Sequence, residues 1–161
     1  MQVLNNPGKM VNIKTIGIKD VHFEKNVTLV EPVNLYGCTI GENTFIGPFV
    51  EIQKGVVIGK DCKIQSHSFI CELVTIGDNC FISHGVMFIN DLFKNGKPAG
   101  GVVENWKLTE IGNNVSIGTN ATILPVKICD HVVIGAGSVV TKNIEKPGVY
   151  VGNPAKKIRN L

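Results

Sequence analysis

Few side chains in this sequence could move a proton near neutral pH, and they are unevenly placed. Of the four histidines, His84 has Asn90 and Asp91 shortly after it and Glu72 twelve residues before it. An imidazole titrates near neutrality and serves as a general base. A carboxylate or a carboxamide accepts hydrogen bonds from a nucleophile and aims it. Glu72 and Asn90 are eighteen residues apart, and Lys54 stands eighteen before Glu72. His67 comes next as a base or a substrate contact. No metal is expected: tetrahedral zinc needs at least three protein ligands, His67 and His84 are seventeen apart, and none of the five cysteines forms a CxxC pair. Cys62 and Cys80 read as small buried hydrophobes, whereas Cys38, Cys71 and Cys129 sit elsewhere in the pattern with no legible role.

The meaning of a spacing of eighteen depends on the elements that carry these residues. Every sixth position from Ile40 holds a large apolar side chain: Ile40, Ile46, Ile52, Ile58, Ile64, Ile70, Ile76, Ile82 and Phe88. A helix repeats every 3.6 residues and a strand every 2, so neither produces this frame; a sustained longer period signals a repeat architecture. The frame resumes at Ile111, Ile117 and Ile123, slips by one residue, and continues at Ile128, Ile134 and Val140. Gly often follows the large residue, and the fifth position is usually small or β-branched, as at Thr44, Val50, Cys62, Ser68, Val86 and Ala121. One large and one smaller side chain then point inward from each short strand. With 18 Gly and only 6% aromatics among 161 residues, the composition favours strands and tight turns over packed helices.

The same composition excludes some functions. A net charge of +3 without a basic stripe gives no footprint for nucleic acid. No apolar run approaches the ~18 residues of a membrane span, and the polar start is not a signal peptide, so a soluble, cytoplasmic, single-domain chain over 1–161 is expected.

The pattern Ile-Gly-x-x-(small)-x resembles the hexapeptide-repeat proteins, left-handed parallel β-helices, over nearly the whole chain. The resemblance implies an all-β solenoid of about six coils with three hexads per triangular coil, beginning with an irregular coil at Val21, Val27 and Val33. Residues eighteen apart would then stack at the strand spacing of ~4.8 Å. Asn90 is expected to sit on Glu72, and Glu72 on Lys54, with His84 on the preceding face of the same coil and Thr119 stacked next to it.

Two breaks interrupt the frame. Seventeen extra residues leave it after Phe88, a loop expected at about 92–110 and rich in Gly and Pro; loops this long in compact domains are usually functional. The second break is the tail, about 146–161, which gathers cations. Ile134-Gly135-Ala136-Gly137-Ser138-Val139-Val140-Thr141-Lys142 followed by Gly152-Asn153-Pro154-Ala155-Lys156 resembles the closing signature of the coenzyme A-dependent acyltransferases of this superfamily. That resemblance implies acetyl-CoA as co-substrate, its pantetheine arm passing Gly118, Thr119, Ala136 and Pro154, and its phosphates meeting Lys142, Lys156, Lys157 and Arg159. One departure is Leu124-Pro125-Val126-Lys127, where relatives read Leu-Pro-Gly-Val.

Phe69-Ile70-Cys71-Glu72 and His84-Gly85-Val86-Met87-Phe88-Ile89-Asn90-Asp91, with Asn34-Leu35-Tyr36-Gly37 and Phe49-Val50-Glu51-Ile52-Gln53, resemble the N-acetyltransferases of nucleotide-linked amino sugars. A homotrimer with sites between subunits is implied, acting on a dTDP- or UDP-linked 3-amino-3,6-dideoxyhexose for surface glycan synthesis. The chemistry would be attack of a neutral amine on the thioester. His84 is the first candidate for base; otherwise the departing sulfur takes the proton while Glu72 and Asn90 orient the amine. Asp91 either orients His84 or caps the loop, and Lys54, His67 and Phe93 are further substrate contacts. Competing expectations are a hydroxyl acceptor, a zinc lyase on the same fold, and a non-enzymatic solenoid.

Overall fold

The computed structural model describes residues 14–161. Almost every regular element is a strand of two to four residues, and the one short helix, Val103–Asn105, is 3-10. The strands form three sheets of seven, six and eight strands among the described residues, parallel except for the last pair of the third, and the chain visits them in rotation up to that pair. This is the left-handed β-helix expected from the hexad frame.

The first sheet runs from Ile18–Lys19 to Val139–Val140, the second from His22–Phe23 to Lys127–Ile128, and the third from Thr28–Leu29 to Lys156–Arg159. Register follows the repeat. Ile46 pairs with Ile64, Ile64 with Ile82, Ile82 with Ile117 and Ile117 with Ile134. All five are essentially inaccessible to solvent, and burial of each contributes about 1.5–3 kcal/mol. Each coil thus covers its neighbour's apolar edge, as solenoids require. Cys62 and Cys80 lie in the core as expected. Cys38 joins them, stacked in the small-residue column with Val56 and Val74, so it follows the repeat after all.

The corners explain the glycines and asparagines. Between the second and third sheets, a Cβ on Gly41 would lie 2.4 Å from the carbonyl carbon of Gly59, so only Gly fits. Two residues later the chain turns through left-handed backbone at Asn43, Asp61, Asn79 and Asn114, residue types whose short polar side chains tolerate that region. Asp78 accepts from the Lys60 N–H at 3.0 Å, Asn113 from Asp78 at 2.8 Å and Asp130 from Asn113 at 2.8 Å. The main-chain N–H of Asn113, and then its side-chain amide, hold the Asp130 carboxyl below its ordinary range.

Three boundaries differ from expectation. There are seven turns, not about six, because the solenoid starts at Ile18 and a last turn follows a four-residue slip after Val140: Ile144 bridges to Ile128, and Gly148–Val151 pairs with Val132–Ile134. The segment expected as a tail, about 146–161, finishes the seventh coil and reverses as the antiparallel strand Lys156–Arg159. The loop closes two residues early, since Thr109–Ile111 is already a strand on Val74–Ile76 and Lys107 N–H bonds to the Asn90 oxygen at 3.0 Å.

Candidate functional site

The registers assign each candidate to a corner. Where the third sheet turns into the first, Ser66, His84, Thr119 and Ala136 form one column. Where the first sheet turns into the second, Lys54, Glu72, Asn90, Pro125 and Lys142 form another. The stacking of Asn90 on Glu72 holds: Asn90 Nδ2 donates to the main-chain oxygen of Glu72 at 3.2 Å. From the opposite side Gln53 Oε1 accepts the Glu72 N–H at 3.4 Å, and Gln53 Nε2 donates to Glu51 at 2.9 Å. The Glu72 peptide is therefore pinned above and below, while its half-buried carboxylate has no hydrogen-bond partner among the described residues. Burial, then the carboxylates of Glu51 and Glu72, push the Tyr36 phenol above its usual range.

His84 stands on the other corner. One side of the triangular coil, the strand Met87–Phe88, lies between it and Asn90, and its hydrogen bond goes to Ser66 while that of Asn90 goes to Glu72. Its Nδ1 lies 2.8 Å from Ser66 Oγ, which leaves Nε2 as the free ring nitrogen. Thr119 is stacked next to it and bonds Ser83 Oγ at 2.8 Å. His67 occupies the adjacent column in left-handed backbone and stacks on the Phe49 ring with centroids 4.9 Å apart.

Asp91 resolves its two alternatives. Oδ1 takes the Phe93 N–H at 2.8 Å and Oδ2 the Ala99 N–H at 2.7 Å, so Asp91 caps the loop and does not orient His84. Phe93 is exposed on that loop, and Lys54 is exposed with its stem against Gly37.

The residues expected to meet coenzyme A are divided. A Cβ on Gly118 would lie 2.5 Å from the Ala136 nitrogen, so that corner is flat and close-packed. The turn through Pro154 joins it: Val139 N–H bonds to the Gly152 oxygen at 2.9 Å, and Ala155 N–H to the Val139 oxygen at 2.8 Å. Lys156, opposite Val151, stays near this corner. Lys142 does not, since it stacks on Pro125 above Asn90. Lys157 and Arg159 run away along the third sheet, Lys157 with its stem over Gly148 and Arg159 bonded to the Asn160 oxygen at 3.0 Å. Sequence reasoning quoted Gln53 only within a motif, without a role, and missed Ser66. Ser66 lies eighteen residues before His84, so the stacking rule that joined Glu72 to Asn90 was the signal for it.

Among the described residues no group of three His, Cys, Asp or Glu could hold a metal ion, and no helix is long and apolar enough to cross a membrane. Fold and corners together define a hexapeptide-repeat β-helix with two polar edges and one extruded loop.

Comparison with known proteins agrees with the repeat. Residues 37–72 match the bacterial transferase hexapeptide model and residues 109–142 the hexapeptide repeat of succinyl-transferase. Both segments thus carry hexapeptide repeats of transferase type. It is 40% identical over 135 residues to the bifunctional protein GlmU of Clostridium kluyveri, a match covering 78% of this chain but 29% of that protein. It is 37% identical to the galactoside O-acetyltransferase of Escherichia coli K12, covering 76% of this chain and 64% of the relative. Among solved structures, a point mutant of AntD, an N-acyltransferase from Bacillus cereus in complex with dTDP and coenzyme A, superposes with a TM-score of 0.75 at 25% identity, covering 89% of this chain and 85% of that one.

Proposed function

We propose that this protein transfers an acetyl group from acetyl-CoA to the amino group of a nucleotide-linked amino sugar, a dTDP- or UDP-3-amino-3,6-dideoxyhexose destined for surface glycan. The observation that carries this reading is the unpartnered Glu72 carboxylate, its main chain fixed by Asn90 and Gln53. A free carboxylate on a fixed main chain accepts hydrogen bonds from an amine and favours it over a hydroxyl, which has one proton fewer to offer. AntD, with its bound dTDP and coenzyme A, supports the same pair of ligands here.

The two edges work together if the chain assembles as a closed trimer, because a cyclic, heterologous contact places one edge of each copy against a different surface of the next. Acetyl-CoA then lies along Gly118, Thr119, Ala136 and Pro154 of one copy, with Lys156 on a phosphate, while Glu72 and Asn90 of another hold the amine. The amine nitrogen attacks the thioester carbonyl carbon, forming the C–N bond. The C–S bond breaks, the sulfur leaves as thiolate, and the ammonium proton passes to His84 Nε2.

The match to a galactoside O-acetyltransferase favours a second reading, a sugar hydroxyl as acceptor. The test is release of coenzyme A thiol from acetyl-CoA against dTDP- and UDP-linked 3-amino and 4-amino sugars, with galactosides as comparison. Turnover on an amino sugar supports the first reading, and turnover on galactosides alone overturns it.

A further inference from the structure

The extruded loop folds around a cavity of about 220 Å³ lined by Asp91, Lys94, Asn95, Lys97, Ala99 and Asn105, together with Pro98 and Val102. The loop has its own framework. Asp91 clasps the Phe93 and Ala99 amides, Gly96 N–H bonds to the Phe93 oxygen at 2.7 Å, and Val102 N–H to the Ala99 oxygen at 3.2 Å. Gly96 has a φ of 68°, left-handed backbone that Gly adopts without strain. Both oxygens of the one carboxylate at the cavity are thus engaged by main-chain amides. Lys94 and Lys97, three residues apart across the turn, have no ion-pair partner among the described residues, and Asn95 and Asn105 add carboxamide donors.

An unpaired cation pair with amide donors suits a compact polyanion. The volume is below the ~300–1,000 Å³ of pockets that enclose whole ligands, so the cavity fits a headgroup and not a nucleotide. We propose that the loop cavity is a diphosphate subsite, with Lys94 and Lys97 on the phosphate oxygens. Both proposed ligands carry a diphosphate. The acceptor's is favoured because Asp91, in the cavity lining, directly follows Asn90, the residue read as a contact to the acceptor's amine. This assignment of the source rests on the reading of Asn90 as an acceptor contact.

The test uses the whole chain and two readouts. Calorimetric titration with inorganic pyrophosphate should show binding that weakens at least tenfold in the K94A/K97A double variant and is retained in K94R/K97R. Kinetically, the KM for the nucleotide-linked amino sugar should rise at least tenfold in K94A/K97A, with the KM for acetyl-CoA within twofold. A rise confined to acetyl-CoA would keep the diphosphate subsite and assign it to the coenzyme. Absence of pyrophosphate binding, or equal binding by the double alanine variant, overturns the proposal. The pyrophosphate arm reads out even if no amino sugar is turned over, so failure of the acceptor reading stays distinguishable from failure of the subsite.

Discussion

Asn90 donates its carboxamide to the main-chain oxygen of Glu72, one coil away and eighteen residues earlier in sequence, at 3.2 Å. The contact fixes the peptide and leaves the carboxylate of Glu72 unengaged. Replacing Glu72 with Gln keeps shape and removes charge, so kcat/KM should fall about 100-fold, within the range for one acid–base or electrostatic group. Asn90→Ala should lose a similar amount, and the double variant should lose less than the product of the two, because both act on one amine. Steady-state kinetics of the four proteins checks this; independent, multiplicative losses would contradict a shared site.

His84 and the Glu72–Asn90 pair lie on different corners, and this gives an assembly prediction. Inactive His84→Ala and inactive Glu72→Gln chains, mixed, unfolded and refolded together, should regain activity, since some sites then draw both intact edges from different copies. Equal mixtures that stay inactive while co-assembling would place the complete site within one chain.

The bond from Ser66 to His84 Nδ1 exposes only Nε2 for proton transfer. His84→Ala should lower kcat about 100-fold or more. A loss below about tenfold would hand the proton to the departing sulfur.

Core stacking makes stability sensitive at any level of the solenoid. Ile64, fully buried between Ile46 and Ile82, should cost about 2–5 kcal/mol on replacement by Ala, read as a shift in denaturation midpoint at unchanged slope. A cost below about 1 kcal/mol would mean that the column does not form.

Burial pushes the Cys38 thiol up to about 11 and the Cys71 thiol up to about 12. Thiols of the unfolded chain ionise near pH 8.5, so the unfolded state loses protons first. The stabilisation from these neutral, buried thiols is complete below about pH 8.5 and declines as pH rises towards their folded values. Denaturation measured at pH 8 and pH 10 should show this loss, and Cys38→Val, matching Val56 in its column, should reduce it. An unchanged pH dependence in the variant would contradict the assignment.

The fold was legible because the period of six is set by packing: Ile64 and Ile82 must face one axis, and nothing local competes. The same stacking arithmetic found the Glu72–Asn90 contact without any coordinates. It fails where the frame ends. The last coil is built from Ile144, Val149 and Tyr150; Ile144 follows Val140 by four residues and not six, so the frame slips there and its strand pairing reads as a tail. Lys142, Lys156, Lys157 and Arg159 are close in sequence, but a tight turn and an antiparallel reversal send them to different edges, and linear proximity misgrouped them. The role of Asp91 depended on the path of an irregular loop, which periodicity does not encode.

The central claim is an amine acceptor held by Glu72. Its most direct test compares initial rates of acetyl transfer to a nucleotide-linked 3-amino sugar and to the same sugar nucleotide with a 3-hydroxyl in place of the amine. The account predicts that the amine is favoured at least 100-fold in kcat/KM, and that Glu72→Gln narrows this preference. A hydroxyl acceptor used as well as the amine, or a preference untouched by Glu72→Gln, would contradict it.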